Sequence, residues 1–242
     1  MLCVLCSMNS MNKSTRDKIL HIVKTNYSDI AGEFNATRQK YIWPGLNEFT
    51  SDLKTGSRVL DVGCGQGRLL EILADKKINY LGVDSSRELI ELAQKNYSNY
   101  KFLVSDVLSL DRMAESDFDY VFSVAVLHHL PGKKLPIEAL RQMAAKLAVD
   151  GRMIISVWNL WSQTKYLKLI ILSYFKYLFS ENKLDWGDIL FFWKNSQGAQ
   201  VSLRYYHAFS VWELKKISRR ANLKIIKIVK DKFNYYLVLQ KP

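Results

Sequence analysis

Acid is scarce in this 242-residue chain: 23 Asp and Glu stand against 35 Lys and Arg, leaving a net charge of +12. Such an excess favours a polyanionic partner, either nucleic acid or an anionic membrane surface, without choosing between them. Cysteine is scarcer still. Cys3, Cys6 and Cys64 are too few and too unevenly placed for a disulfide framework, so a reducing, cytoplasmic setting is expected. Cys3 and Cys6 form a CxxC, but no second ligand pair at zinc spacing accompanies it, and no metal site is expected. The first residues lack the basic segment and long apolar run of a signal peptide. No apolar run is long enough to span a bilayer: the best, Tyr166 to Phe179, is short and interrupted by Lys168 and Lys176. It reads as a helix covering the sheet or a substrate site, the alternative being an amphipathic helix lying on a surface. There is no repeat and no low-complexity linker, and only four prolines punctuate the chain. One core, and one domain, is the expectation.

Short β-branched runs alternate with helical patterns, the signature of βαβ units around a mostly parallel sheet. The runs are Arg58–Val62, Tyr80–Val83, Lys101–Val104, Tyr120–Val124, Met153–Val157, Lys224–Val229 and Tyr235–Leu239. Helical segments are expected at about Arg68–Lys76, Arg87–Asn96, Leu135–Leu147 and Val211–Ala221. The last two strands are joined by the polar link Lys230–Asn234 and are expected to pair antiparallel. A doubly wound α/β fold follows, with residues 1–26 as an N-terminal helical extension, 27–242 as the domain, and a helical, aromatic insertion at about 160–200.

The first strand runs directly into Asp61-Val-Gly63-Cys64-Gly65-Gln-Gly67. A glycine-rich turn after the first strand lets backbone approach a ligand closely, and the helix that follows offers free amides. A dinucleotide site would read GxGxxG; here the spacing is GxGxG after an acid, which puts NAD behind S-adenosylmethionine. Asp84 ends the second strand, where a carboxylate can grip both ribose hydroxyls, and Asp106 follows the third, where it can accept from an adenine amino group with Val107 packing on the ring. An acid at one strand end is ordinarily a turn residue. Three of them with the glycine turn form a set.

These residues, with Asp117-Phe-Asp119 leading into the fourth strand, resemble the class I S-adenosylmethionine-dependent methyltransferases. The resemblance implies a seven-stranded sheet of order 3-2-1-4-5-7-6 and a cofactor set that also takes in Ser85 and Val124. Further segments narrow the likeness: Tyr27 to Phe34, Thr37-Arg38, Trp43-Pro44, His128-His129, Val157-Trp158, Arg204-Tyr-Tyr-His207-Ala-Phe209 and Asn234-Tyr-Tyr236. In this order they are similar to the tRNA methyltransferases that esterify 5-carboxymethyluridine at the wobble position. That family implies tRNA as partner and a small zinc-ribbon activator subunit. The stretch from Asn159 onward and Tyr235 depart from the family pattern.

Methylating a carboxylate needs little general base, because the acceptor is already ionised at neutral pH. It needs alignment and cations for the second oxygen. Arg38 and Arg204 suit that demand, His128 or His207 could donate to the acceptor or to the uracil edge, and Trp158 and Tyr206 could stack on the base. Each has an ordinary reading as a packing or ion-pairing residue. Basic residues at Lys133-Lys134, Lys215-Lys216, Arg219-Arg220 and Lys224 to Lys232 are expected to take phosphate contacts near the active face. The alternative is a small-molecule acceptor, with residues 160–200 as a lid and the charge incidental.

Overall fold

A computed structural model describes residues 11–29, 44–73, 75–179, 184–194 and 200–242. The chain opens with helix α1 (Lys13–Asp29) and a short α2 (Pro44–Thr50), then alternates β1 (Arg58–Val62), α3 (Leu70–Leu73), β2 (Asn79–Asp84), α4 (Arg87–Asn96), β3 (Lys101–Val104) and β4 (Phe118–Val124). After β4 come α5 (Leu135–Ala145), β5 (Leu147–Trp158), α6 (Thr164–Phe179), β6 (Asp188–Lys194), β7 (Gln200–His207), α7 (Val211–Arg220), β8 (Lys224–Lys230) and β9 (Asn234–Gln240).

Seven strands form one sheet in the order β3-β2-β1-β4-β5-β9-β8. Neighbours from β3 to β5 run parallel, and β9 is antiparallel to both β5 and β8. Counting only these strands, the order is the expected 3-2-1-4-5-7-6. Central strands are buried on both faces, as β1 shows with four of its five residues buried, because helices cover a parallel sheet on either side. The edge strand β8 is half wet and carries Lys224, Lys227 and Lys230, charges that blunt an open edge. Local signals fix the helices. Ser86 caps α4 by accepting from Leu89 N–H at 3.2 Å, and Ser210 with Glu213 forms a reciprocal capping box at the start of α7.

Three features differ from the sequence reading. α1 runs without a break through the expected boundary at residue 26, and its Asn26 side chain donates to Leu203 O at 2.8 Å, so it docks on β7. The first helical segment shrinks to Leu70–Leu73, preceded by turns. The insertion is also not helical throughout: β6 and β7 pair as a separate antiparallel sheet. Tyr205 and Tyr206 are adjacent and both buried while Phe192 is exposed, so the strands lack the simple apolar–polar alternation that would mark them in the sequence. α6 covers this small sheet through Tyr166, Leu169 and Ile170, and leaves Leu167, Ile171 and Leu172 exposed. Among the described residues no helix is long and apolar enough to cross a membrane.

A buried ionic cluster ties the small sheet to α7. Asp188, fully buried, accepts from Tyr205 O–H at 2.7 Å, from Asp185 N–H at 2.7 Å and from His207 Nδ1 at 2.7 Å, while His207 Nε2 lies 3.5 Å from Glu213. Burial alone would pull the imidazole down, but hydrogen bonds to Asp188 and Glu213 and their charges outweigh it and push its pKa up to about 10. His207 is therefore held as the cation. Its contribution to stability is complete below its ordinary value of 6.5 and is lost as pH rises through about 10. Thermal melts should fall across that window in the wild type and not in His207→Gln, which at pH 7 should lose about 3–5 kcal/mol because Asp188 is left uncompensated. A variant as stable as wild type at pH 7 would contradict the clamp.

Candidate active site

A cavity of about 340 Å³ opens at the carboxyl ends of β1, β2, β3 and β4, within the range of ligand pockets. Its floor is the turn after β1. Gly63 and Cys64 N–H groups both donate to Val83 O, at 2.8 and 3.0 Å, so the turn folds back onto β2. Gly63 has φ +74°, and a Cβ there would lie 2.3 Å from Val126 Cγ2, so only glycine fits between this turn and the loop after β4. At Gly65, φ is +56° and a Cβ would meet nothing within 4 Å, leaving its backbone bare toward the cavity. Gly67 does not line the cavity. A Cβ there would press on Tyr97 at 2.9 Å, so its role is close packing of the turn against α4 and β3.

Three carboxylates face this turn. Asp84 accepts from Gly65 N–H and Ser86 N–H, each at 2.9 Å, one on each oxygen. Burial raises its pKa, against the lowering effect of those amides and of Ser85. Asp61 is buried and accepts from Tyr80 O–H at 2.8 Å. Burial drives its carboxyl up to about 7; the Tyr80 hydrogen bond opposes this and the Asp84 charge adds to it. Asp106 is exposed and caps the turn Val107–Arg112, accepting from Leu108 N–H at 2.9 Å with one oxygen. Cys64, Ser85, Val107 and Val124 complete the part of the lining expected from sequence, and burial raises the Cys64 thiol well above its usual range.

Of the acceptor-side residues, His128 and Trp158 line the cavity and sit 5.3 Å apart, ring centroid to centroid. Trp158 N–H points at His128 Nδ1 from 3.5 Å, and His128 is fully buried. Tyr206, Arg204 and His207 are not in the lining. Tyr206 is buried behind it, its ring 5.0 Å from Trp158 and 5.3 Å from His128, so it supports those two rings and has no face left for a base. Arg204 is buried with its Nη1 3.3 Å from Tyr206 Oη, and His207 is engaged by carboxylates on both nitrogens. Strand alternation divides them: Arg204 and Tyr206 share the face of β7 that packs behind Trp158 and His128, and His207 lies with Tyr205 on the other, against Asp188. Arg38 lies outside the described residues, as do Thr37, Trp43, Cys3 and Cys6.

Sequence reasoning missed the roof. Leu20, His21, Val23 and Lys24 of α1 line the cavity, and so do Gln66, Arg68 and His129. Leu20, His21, Val23 and Lys24 fall on one helical stripe, the spacing that could have revealed it. Ala125 adopts φ +61° at the mouth, a left-handed conformation held by its N–H donating to Ser156 O at 3.0 Å. The basic pairs divide. Lys224 pairs with Gln240 and Gln240 with Arg152, at the sheet end opposite the cavity, and Arg219 and Arg220 end α7 there; Lys230 pairs with Tyr235 beside Trp158, at the cavity end. Arg219, Arg220 and Lys224 are thus not near the cavity. Among the described residues no group of three or more His, Cys, Asp or Glu is placed to hold a metal ion.

A family model described as a methyltransferase domain matches residues 34–228. A tRNA (carboxymethyluridine(34)-5-O)-methyltransferase of Saccharomyces cerevisiae is 37% identical over 134 residues, 55% of this chain and 47% of that one. A tRNA (carboxymethyluridine(34)-5-O)-methyltransferase of Xenopus tropicalis is 35% identical over 147 residues, 59% of this chain and 22% of that one. The matched part thus spans about half and about a fifth of these relatives' lengths. Among solved structures, a SAM-dependent methyltransferase of Methanosarcina mazei superposes with a TM-score of 0.66 at 18% identity, covering 83% of this chain and 98% of that one. A putative methyltransferase complexed with the Trm112 activator of Haloferax volcanii gives 0.63 at 16% identity, covering 91% and 97%. At such identity these two likenesses concern the fold.

Gly63→Ala tests the floor. Strain at positive φ together with the overlap on Val126 should cost about 2–4 kcal/mol and lower the melting temperature by several degrees. An unshifted melt would mean the turn and the Val126 loop can separate freely.

Proposed function

Because this chain belongs to the family of methyltransferase domains, we propose that it transfers methyl from S-adenosylmethionine to the carboxylate of 5-carboxymethyluridine at the tRNA wobble position, in the cytoplasm. The observation that carries the cofactor assignment is the cavity floor, where bare Gly65 backbone, the Asp84 carboxylate and Asp106 with Val107 line one continuous wall. An adenosine fits that order of groups: hydroxyls on Asp84, the amino group on Asp106, the ring against Val107. Buried Asp61 stands where an amino acid portion would enter and becomes ionised as a cationic group arrives beside it. S-adenosylmethionine, when bound, supplies an electrophilic methyl on a cationic sulfur. The activity named for the Saccharomyces cerevisiae and Xenopus tropicalis relatives supports the acceptor.

The chain's own residues have a modest chemical task. No proton has to be removed from an ionised carboxylate, so the site must orient it, exclude water and hold its spare oxygen. Trp158 and His128, rigid against Tyr206, form the acceptor wall, and Trp158 offers a ring for a base to stack on. Lys24 on the roof brings a cation to the cavity, and Arg38 is assigned the same task from the family likeness. Arg204 braces Tyr206 from behind the wall. A zinc-ribbon activator belongs to the proposal as well, in line with the Haloferax volcanii complex.

The reading is tested with labelled S-adenosylmethionine and tRNA carrying wobble carboxymethyluridine. Label should appear on tRNA as a base-labile ester and fall at least a hundredfold in Asp84→Ala and in Arg38→Ala, the scale of one lost charge-assisted contact or more. A protein that binds cofactor yet labels no tRNA, even with the activator added, would redirect the assignment to a small-molecule acceptor. A pH signature also follows. Asp61 is raised to about 7, so the unliganded fold favours its protonated form, and a cationic ligand favours the ionised one. Cofactor affinity should therefore rise about tenfold from pH 6 to pH 8 by calorimetry, and Asp61→Asn should flatten that slope. A flat wild-type profile would remove Asp61 from the cation's surroundings.

A further inference from the structure

The turn between β8 and β9 is built more rigidly than a surface hairpin needs. Asp231 Oδ1 accepts from both Phe233 N–H at 2.7 Å and Asn234 N–H at 2.6 Å, and its other oxygen accepts from Tyr236 O–H at 3.1 Å. The turn is also tied to the segment that follows β5. Fully buried Asn159 donates its backbone N–H to Phe233 O at 2.7 Å and its side-chain amide to Asp231 O at 3.2 Å, and Ser162 Oγ donates to Lys232 O. Asn159 is the residue after Trp158 of the cavity wall, so the turn is fixed to the cavity rim by consecutive backbone positions.

What this frame holds out to solvent is an aromatic ring among lysines. Phe233 is 43% exposed, Lys232 Nζ lies 5.5 Å from its ring centre, and Lys230 Nζ lies 5.7 Å from the Tyr235 ring. A large apolar ring at the tip of a polar turn, with 43% of the residue in water, carries a solvation cost. Cations beside an exposed aromatic ring are the arrangement that binds unpaired nucleotides, ring to base and ammonium to phosphate.

Resting on the wobble-uridine reading above, we propose that Phe233 is a stacking platform for an unpaired base next to the methylated nucleotide, with Lys230 and Lys232 taking the flanking phosphates. The acceptor base enters the cavity past Trp158, and its neighbour in the same loop rests on the rim. Recognition of the loop is thus divided between a cavity that selects one nucleotide and an external ring that accepts any base, since every base has a π face.

Binding of a fluorescein-labelled anticodon stem-loop to the full chain, read by anisotropy, tests this. Phe233→Leu keeps an apolar side chain and removes the π face, and should weaken binding about tenfold; Phe233→Trp should bind as well as wild type or better. Lys232→Ala should reduce the dependence of log Kd on log salt by about one. Cofactor affinity should not change in any of the three. Equal loss in the Leu and Trp variants would mean that the ring serves packing, and wild-type affinity in Phe233→Leu would overturn the platform even if the stem-loop is methylated. A wild-type protein that methylates the nucleoside but binds no stem-loop also overturns it while sparing the chemistry, whereas stem-loop binding lost on Phe233→Leu with no methylation by wild type would instead overturn the acceptor assignment.

Discussion

Everything at the cavity depends on how the turn after β1 is fastened to the end of β2. Val83 O takes two amides from that turn, and the Asp84 carboxylate takes a third from Gly65. These bonds fix a strongly bent backbone in a buried place where unpaired amides would be costly. They also aim Asp84, since backbone amides bind both of its oxygens. Glycine at 63 follows from the same constraint, because Val126 on the neighbouring loop closes to within a methyl group of the bend. The carboxylates pay for this enclosure with raised pKa values, and a cationic ligand relieves that electrostatic load.

The floor of the cavity was legible in the sequence because its signals are local. Gly63, Gly65, Asp84 and Asp106 are each defined by place within a βα unit, and the order of units follows from chirality and short connections. β8 and β9 were visible as a hairpin for the same reason. The wall around His128 and Trp158 was less legible because the residues behind it act through tertiary placement. Arg204, Tyr206 and His207 have the chemistry of a binding site and a spacing that invites the reading. The register of β7 against β6 turns them into a buried brace and an ion-paired clamp. His207 is engaged by Asp188 and Glu213, nineteen and six positions away in the chain, a pairing that no periodicity announces.

Helix α1 shows the reverse error. Cutting the domain at residue 26 treated it as an appendage, whereas it supplies the cavity roof and docks on β7 through Asn26. Its apolar residues are few enough that most of its length looks like a solvated helix. Charge was misleading in another way. The +12 surplus is real, but the strand registers send Arg219, Arg220 and Lys224 to one end of the sheet and Lys230 to the other. Net charge carries no information about which end faces the chemistry.

The two sheets have separate cores. Leu160, Ile170, Ile189, Tyr206 and Ala208 pack together, distinct from the clusters on the two faces of the large sheet. A change inside the small core therefore alters the wall behind Trp158 and His128 without disturbing the strands that carry Gly63 and Asp84. In evolutionary terms this makes the small sheet an exchangeable cassette. Changes among its aromatic residues can reshape the wall behind Trp158 while leaving the packing around the glycine turn in place.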